Sequence, residues 1–173
     1  MIKEIVVEDF GVVALPIYKG EVYTVPDELK ENTDKADGFG WKIGRAMVPV
    51  DGLKQFVGGV RDEYDPTTAM RREIKEETKL SPRDGSVIPL NVSTLIYHKR
   101  PEDSGKYYGV DLYKWELSDE EARFLTERGA KPAEQCLDQM RERDVIVYQL
   151  YKQLEDSLLP VLLPIMVNEE SML

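Results

Sequence analysis

A single cysteine, Cys136, and a single histidine, His98, occur in the 173 residues of the chain. One thiol excludes an internal disulfide and suits a reducing compartment. One imidazole leaves no room for a multi-histidine metal centre, and His98 reads as an ordinary strand residue. No apolar run reaches the roughly 18 residues that suggest a bilayer span, and no charged-then-apolar segment opens the sequence as a signal would. The expectation is a soluble, cytoplasmic protein with no membrane partner. Positive charge is also scarce, since 23 Lys and Arg against 33 Asp and Glu leave a net charge of −10. A protein that tracks nucleic-acid phosphates shows a basic stripe instead, so no nucleic-acid partner is expected and an anionic substrate has to be drawn in by a metal. With 42% hydrophobic and 9% aromatic residues, the composition is that of one folded domain over 1–173 with a substantial core.

The chemistry-bearing segment lies between Gly58 and Leu80, GGVRDEYDPTTAMRREIKEETKL. Asp65-Pro66 reads as a helix start, because Asp accepts bonds from exposed N–H groups at the N-cap and Pro is tolerated at the first helical position. The helix should run through Thr78 or Lys79. Within it Glu73, Glu76 and Glu77 stand at i, i+3 and i+4, so their carboxylates share one stripe. Like charges this close repel unless a cation sits among them, and hard divalent cations take carboxylate and carbonyl oxygens completed by phosphate. Arg72 adds a fixed positive charge that can orient a neighbouring carboxylate. The competing reading is a solvated helix with an Arg72–Glu76 pair worth about 0.2–0.5 kcal/mol. The preceding Phe56-Val57-Gly58-Gly59 shifts the balance, because it reads as a strand ending where backbone must approach something closely.

These residues resemble the signature of the Nudix hydrolases, G-x5-E-x7-R-E-U-x-E-E-x-G-U with U aliphatic. Arg72, Glu73, Ile74, Glu76, Glu77 and Leu80 match it position for position. Tyr64 stands where the family has Glu, with Asp65 beside it, and Lys79 replaces the late Gly. If Gly58 is the motif's glycine the spacing is kept, and if Gly59 is, the loop is one residue short. A left-handed Lys79 would cost roughly 1–2 kcal/mol. The resemblance implies an α/β fold, an α/β/α sandwich with a mixed sheet. It also implies a metal-dependent pyrophosphohydrolase in which Glu73, Glu76, Glu77 and a diglycine carbonyl, that of Gly59, hold Mg²⁺ or Mn²⁺. Arg72, Glu73, Glu76 and Glu77 are then the catalytic group, and the partner is a small nucleotide diphosphate derivative. A homodimer is the assembly that the resemblance allows. A Nudix-fold sensor that binds a nucleotide without cleaving it is the alternative.

Along the rest of the chain, 5–7, 11–18 and 21–25 read as strands, joined in part by the Lys19-Gly20 turn. The polar stretch 27–40 reads as a loop insertion before a strand over 42–50. After the helix, 87–98 and 107–117 read as paired strands. Ser118 with Glu121 forms a capping box for a helix ending near Gly129, and a last helix should start at Pro132 with Leu137, Met140, Val147, Tyr151, Leu154 and Leu158 at helical spacing. The apolar stretch 158–173, broken by Pro160 and Pro164, reads as a tail over the domain's own core. Glu120, Glu121 and Glu134 are late candidates for a general base, Glu121 being the better helix cap. Tyr97 has the spacing of a tyrosine seen in dinucleoside polyphosphate hydrolases, against the competing reading of a core aromatic. Trp41, Tyr18, Tyr23, Tyr108 and Trp115 are candidate stacking faces for a base.

Overall fold

The computed structural model describes residues 6–26, 40–43, 46–49, 54–61, 65–97, 106–140 and 142–156. Of the stretch 27–40 expected as an insertion, 27–39 lies outside the described residues and Gly40 opens a strand; Tyr64, His98 and the stretch 158–173 also lie outside them. The central element is β1 (Val6–Tyr18). Its run VVALPIY is apolar at nearly every position because both faces are covered. Val12 and Ala14 enter one core cluster, while Val13, Leu15 and Ile17 enter another.

Short β2 (Glu21–Val22) turns back on β1, and β3 (Val25–Pro26) pairs with β6 (Lys54–Gln55). β4 (Gly40–Ile43) pairs with β5 (Ala46–Pro49). β7 (Val57–Val60) runs antiparallel to β1, with Val12 opposite Gly59. β8 (Val87–Tyr97) pairs antiparallel with β9 (Lys106–Glu116), which lies parallel to β1. The sheet order is β2-β1-β9-β8, with β7 beside β1. α1 (Pro66–Thr78) and α2 (Asp119–Glu127) pack on the face bearing Val57, Tyr113 and Trp115, and α3 (Glu142–Glu155) on the face bearing Phe56, Val110 and Leu112. This is the expected α/β/α sandwich with a mixed sheet. Among the described residues no helix is long and apolar enough to cross a membrane.

Four details differ from the sequence expectation. The two first strands are one, with a register shift between Val7 and Asp9 where the alternation breaks. The strand over 42–50 is instead the β4–β5 hairpin. The stretch 21–25 divides because Thr24 N–H and its hydroxyl both donate to Lys131 O, at 2.9 and 3.0 Å. That bond holds Lys131-Pro132 extended, with Pro132 bridged to Tyr23, and no α-helix starts at Pro132. Two 3₁₀ turns, Ala133–Gln135 and Leu137–Gln139, follow. Ala133, Cys136 and Met140 are nonetheless buried in one core cluster.

α1 begins as read. Asp65 accepts from the N–H groups of Thr67 and Thr68 at 3.4 and 3.1 Å, and Pro66 occupies the first position. It ends in a left-handed Lys79, φ 64° and ψ 7°, so the glycine-replacing lysine does carry the strain of that region. Thr78 steadies this turn by donating to Ile74 O at 2.6 Å and accepting from Leu80 N–H at 3.2 Å. Lys79→Gly should therefore stabilise the protein by about 0.5–1 kcal/mol, the left-handed penalty less glycine's extra unfolded-state entropy. The check is a thermal midpoint raised by roughly 2–4 °C; a lowered midpoint would mean that Lys79 contributes through its side chain.

Candidate functional site

Only β1 pairs with β7 among the described strands, so one edge of the diglycine strand is open. In an antiparallel strand the N–H and C=O of a residue point the same way, alternating along the chain. Arg61 N–H donates to Phe10 O at 3.0 Å, which directs residues 57, 59 and 61 to β1 and residues 56, 58 and 60 outward. Side chains meet these outward groups. Phe56 N–H donates to Asp144 Oδ2 at 3.2 Å, Gly58 N–H to Glu77 Oε2 at 3.3 Å, and Arg72 Nη2 to Val60 O at 3.2 Å. Unpaired edge groups are thereby satisfied without a further strand.

Glu73 sits on the sheet face itself. A Cβ at Gly59 would overlap all three atoms of its carboxyl group, so the glycine is required for the carboxylate to reach the strand. Arg72 Nη1 lies 2.9 Å from Glu73 Oε1 and 3.1 Å from Glu76 Oε2. Arg72 thus joins two carboxylates and ties them to β7, while Glu77 is tied to β7 directly.

Glu73 is only 8% exposed. Burial, then the neighbouring Glu77 carboxylate, raises its pKa above the usual range, with Arg72 opposing and Glu76 adding to the rise. A carboxyl whose native pKa is raised contributes stability that is fully present below its unfolded pKa and lost as pH climbs through the native value. Metal-free Glu73→Gln should thus melt above wild type near about pH 7, with the gap narrowing toward roughly pH 4. Melts in chelator across that range check it; equal midpoints near neutrality would mean that the ionised carboxylate is well accommodated without a cation.

No protein-family model matches the sequence, and no curated protein matches it. Solved structures do. The Nudix domain of Shewanella oneidensis NrtR, in complex with ADP ribose, is similar at TM-score 0.52 and 13% identity over 88% of this chain and 89% of that one. This chain has the Nudix fold. Shewanella oneidensis NrtR complexed with a 27mer DNA is similar at TM-score 0.49 and 13% identity, over 81% of this chain and 57% of that one. The E. coli dihydroneopterin triphosphate pyrophosphohydrolase is similar at TM-score 0.43 and 10% identity, over 66% of this chain and 71% of that one.

Within this Nudix fold Arg72, Glu73, Glu76 and Glu77 all lie on α1, beside the diglycine strand. Among the described residues no group of three Asp, Glu, His or Cys side chains is gathered to hold a metal ion, because Arg72 stands between Glu73 and Glu76 while Glu77 faces Gly58. The late glutamates lie elsewhere. Glu121 completes the α2 capping box with Ser118 and also meets Arg83 at 3.2 Å. Leu117 N–H bonds to Ile17 O, so α2 starts five residues along β1 from Val12, roughly 17 Å away at about 3.3 Å per residue. Glu134 lines a cavity of about 190 Å³ with Lys19, Glu21, Tyr148 and Lys152 at that same hairpin end. Trp115 is fully buried and belongs to the core, and Tyr18 donates to Asp119 Oδ1 at 2.7 Å beside α2. The side chains of Trp41, Tyr97 and Tyr108 are outside the described residues.

One acid escaped the sequence reading. Asp111 stands in the cross-sheet row Gly59, Val12, Asp111, Ser93, on the Glu73 face. It pairs with Arg61 at 3.6 Å and accepts from Ser93 Oγ. The available signal was a charge at an alternate position between Val110 and Leu112, which face the α3 side, and Tyr113.

Proposed function

We propose that the chain is a divalent-cation-dependent pyrophosphohydrolase that cleaves a nucleoside diphosphate linked to another moiety. The class comprises nucleotide sugars, dinucleoside polyphosphates, ADP-ribose and nucleoside triphosphates. One observation carries the proposal: Glu77 bonded to Gly58 N–H beside a Glu73 carboxylate seated on Gly59. Two carboxylates of one helix thereby meet the strand, with Glu76 beside them on Arg72, and the outward carbonyl of Gly58 offers another hard oxygen.

The donor set fits Mg²⁺ or Mn²⁺ in chemistry, being all oxygen and anionic. Glu73, Glu76 and Glu77 are the carboxylate donors. Strand alternation argues for the carbonyl of Gly58 in place of Gly59, whose backbone is directed to β1. When bound, such a cation supplies charge to diphosphate oxygens and makes water more acidic. The chain's own residues fix the geometry. Arg72 orients Glu73 and Glu76 while anchored on Val60 O, Glu77 locks the helix to the strand, and the absence of a side chain at Gly59 admits Glu73. The ADP ribose held by the NrtR domain supports a nucleotide ligand.

A second reading, a nucleotide-binding Nudix-fold protein without turnover, is favoured by Arg72 occupying the space between two of the three carboxylates. The discriminating assay is phosphate-ester release from nucleoside triphosphates, nucleotide sugars, ADP-ribose, dinucleoside polyphosphates and NADH, each with Mg²⁺ and with Mn²⁺. Cation-dependent release from one class supports hydrolysis. Thermal stabilisation by a nucleotide with no product across the panel would overturn it in favour of the second reading.

A further inference from the structure

The diglycine strand has a support on the sheet face opposite α1. Asp144, in the first turn of α3, is fully buried. Its Oδ2 accepts from Phe56 N–H at 3.2 Å, and its Oδ1 accepts from Arg143 Nε at 2.9 Å and lies 2.8 Å from Arg143 Nη2. One charge-assisted hydrogen bond from Nε, with Nη2 close by as an ion-pair contact, thus holds the single oxygen Oδ1. Arg143 is in turn pressed against Gly58, where a Cβ would stand 3.1 Å from Nη2 and 3.2 Å from Nη1. Its side chain is only 12% exposed.

A buried ion pair is poor core filler. Desolvation offsets much of its attraction, and apolar side chains of similar volume often give equal or greater stability. Val147, on the same helix, and Met140 are buried and apolar. The charges stand where the peptide from Phe56 to Gly58 is fixed, two residues of backbone that end in the amide held by Glu77. A shift of this peptide would open the Glu77 bond and move the Gly58 carbonyl at once.

We propose that Arg143 and Asp144 are positioning residues for the cation site, fixing the diglycine strand from the far face of the sheet so that α1's carboxylates and the Gly58 carbonyl stay in register. The inference rests on the reading of those carboxylates as cation donors. Neither residue touches the cation or the substrate; both act through the Phe56–Gly58 peptide.

The test is Mn²⁺ binding to the full chain, followed by calorimetric titration and by loss of the free-ion electron paramagnetic resonance signal, with thermal melts alongside. Asp144→Asn keeps the shape but puts an amide donor where either Phe56 N–H or Arg143 must be accepted. Removing groups that orient metal ligands commonly weakens metal affinity by about 10–100-fold, and a loss of at least tenfold is expected in the folded variant. Val147→Ala is the control. It removes buried volume from the same helix while leaving both charges in place, so its midpoint should fall while its Mn²⁺ affinity holds. If Asp144→Asn does not fold, Arg143→Lys, which keeps the charge but loses the Nε hydrogen bond to Asp144, should show the same weakening. Wild-type affinity in a folded Asp144→Asn or Arg143→Lys variant would overturn the proposal, as would equal weakening in Val147→Ala. Absence of Mn²⁺ binding by the wild-type chain would instead sink the cation-site reading on which it stands.

Discussion

Glu76→Gln and Glu77→Gln should each lower cation-dependent turnover by roughly 10³-fold or more, since several kcal/mol of charge stabilisation depend on the site and each 1.36 kcal/mol is a factor of ten. The two variants should differ otherwise. Glu76 is exposed and pairs with Arg72, so its loss leaves the fold as it was. Glu77 accepts from Gly58 N–H, and a glutamine can still offer its carbonyl oxygen to that bond while withholding a negative charge. Folding should survive in both, and the measurement is kcat at saturating Mg²⁺ together with far-ultraviolet circular dichroism. Undiminished turnover in both would refute the assignment of α1 as the site.

Gly59→Ala should be the most disruptive small substitution in the site. The added methyl has no free volume, because it would overlap the Glu73 carboxyl carbon and both its oxygens. Either Glu73 leaves the sheet face, breaking its 2.9 Å contact with Arg72, or α1 lifts from β7. Overpacking of this kind typically costs about 1–3 kcal/mol, and turnover should be lost with it. Gly85→Ala is a useful contrast: nothing lies within 4 Å of a Cβ there, so its cost comes from its positive φ alone and activity should persist. Denaturant midpoints and turnover of the pair decide the matter; near-native activity in Gly59→Ala would show that Glu73 need not rest on the strand.

Local chemistry made α1 legible. Asp65-Pro66 is a start signal that needs no tertiary context, and the Glu73, Glu76 and Glu77 spacing follows from helical geometry alone. The end of the helix was less so, since Lys79 bears no mark of the left-handed turn that the fold imposes on it. Pro132 misled because the bond from Thr24 to the preceding Lys131 O spans more than a hundred positions and leaves no trace in local periodicity. The site was half visible for a similar reason. Its α1 half is contiguous, whereas Asp111 comes from β9 and reaches the row of Gly59 only through two strand pairings. Arg143 and Asp144 fall in a helix whose pattern was weighed by its apolar positions, and a buried charge is invisible to that criterion.

The parallel pairing of β1 with β9 sets the order in which the chain can be assembled. Ninety-nine positions separate Val12 from its partner Asp111, and contacts this distant have to bear the entropy of closing a long loop before they return any stabilisation. β8 and β9 can form their ladder locally, and α1 can form early from its own cap. During synthesis β1 emerges well before β9 and waits for its parallel neighbour, with an apolar surface that other chains can template upon. The refolding rate should consequently respond to substitutions at the β1–β9 seam more than to those in α1, and the waiting β1 is the segment a chaperone has most reason to hold.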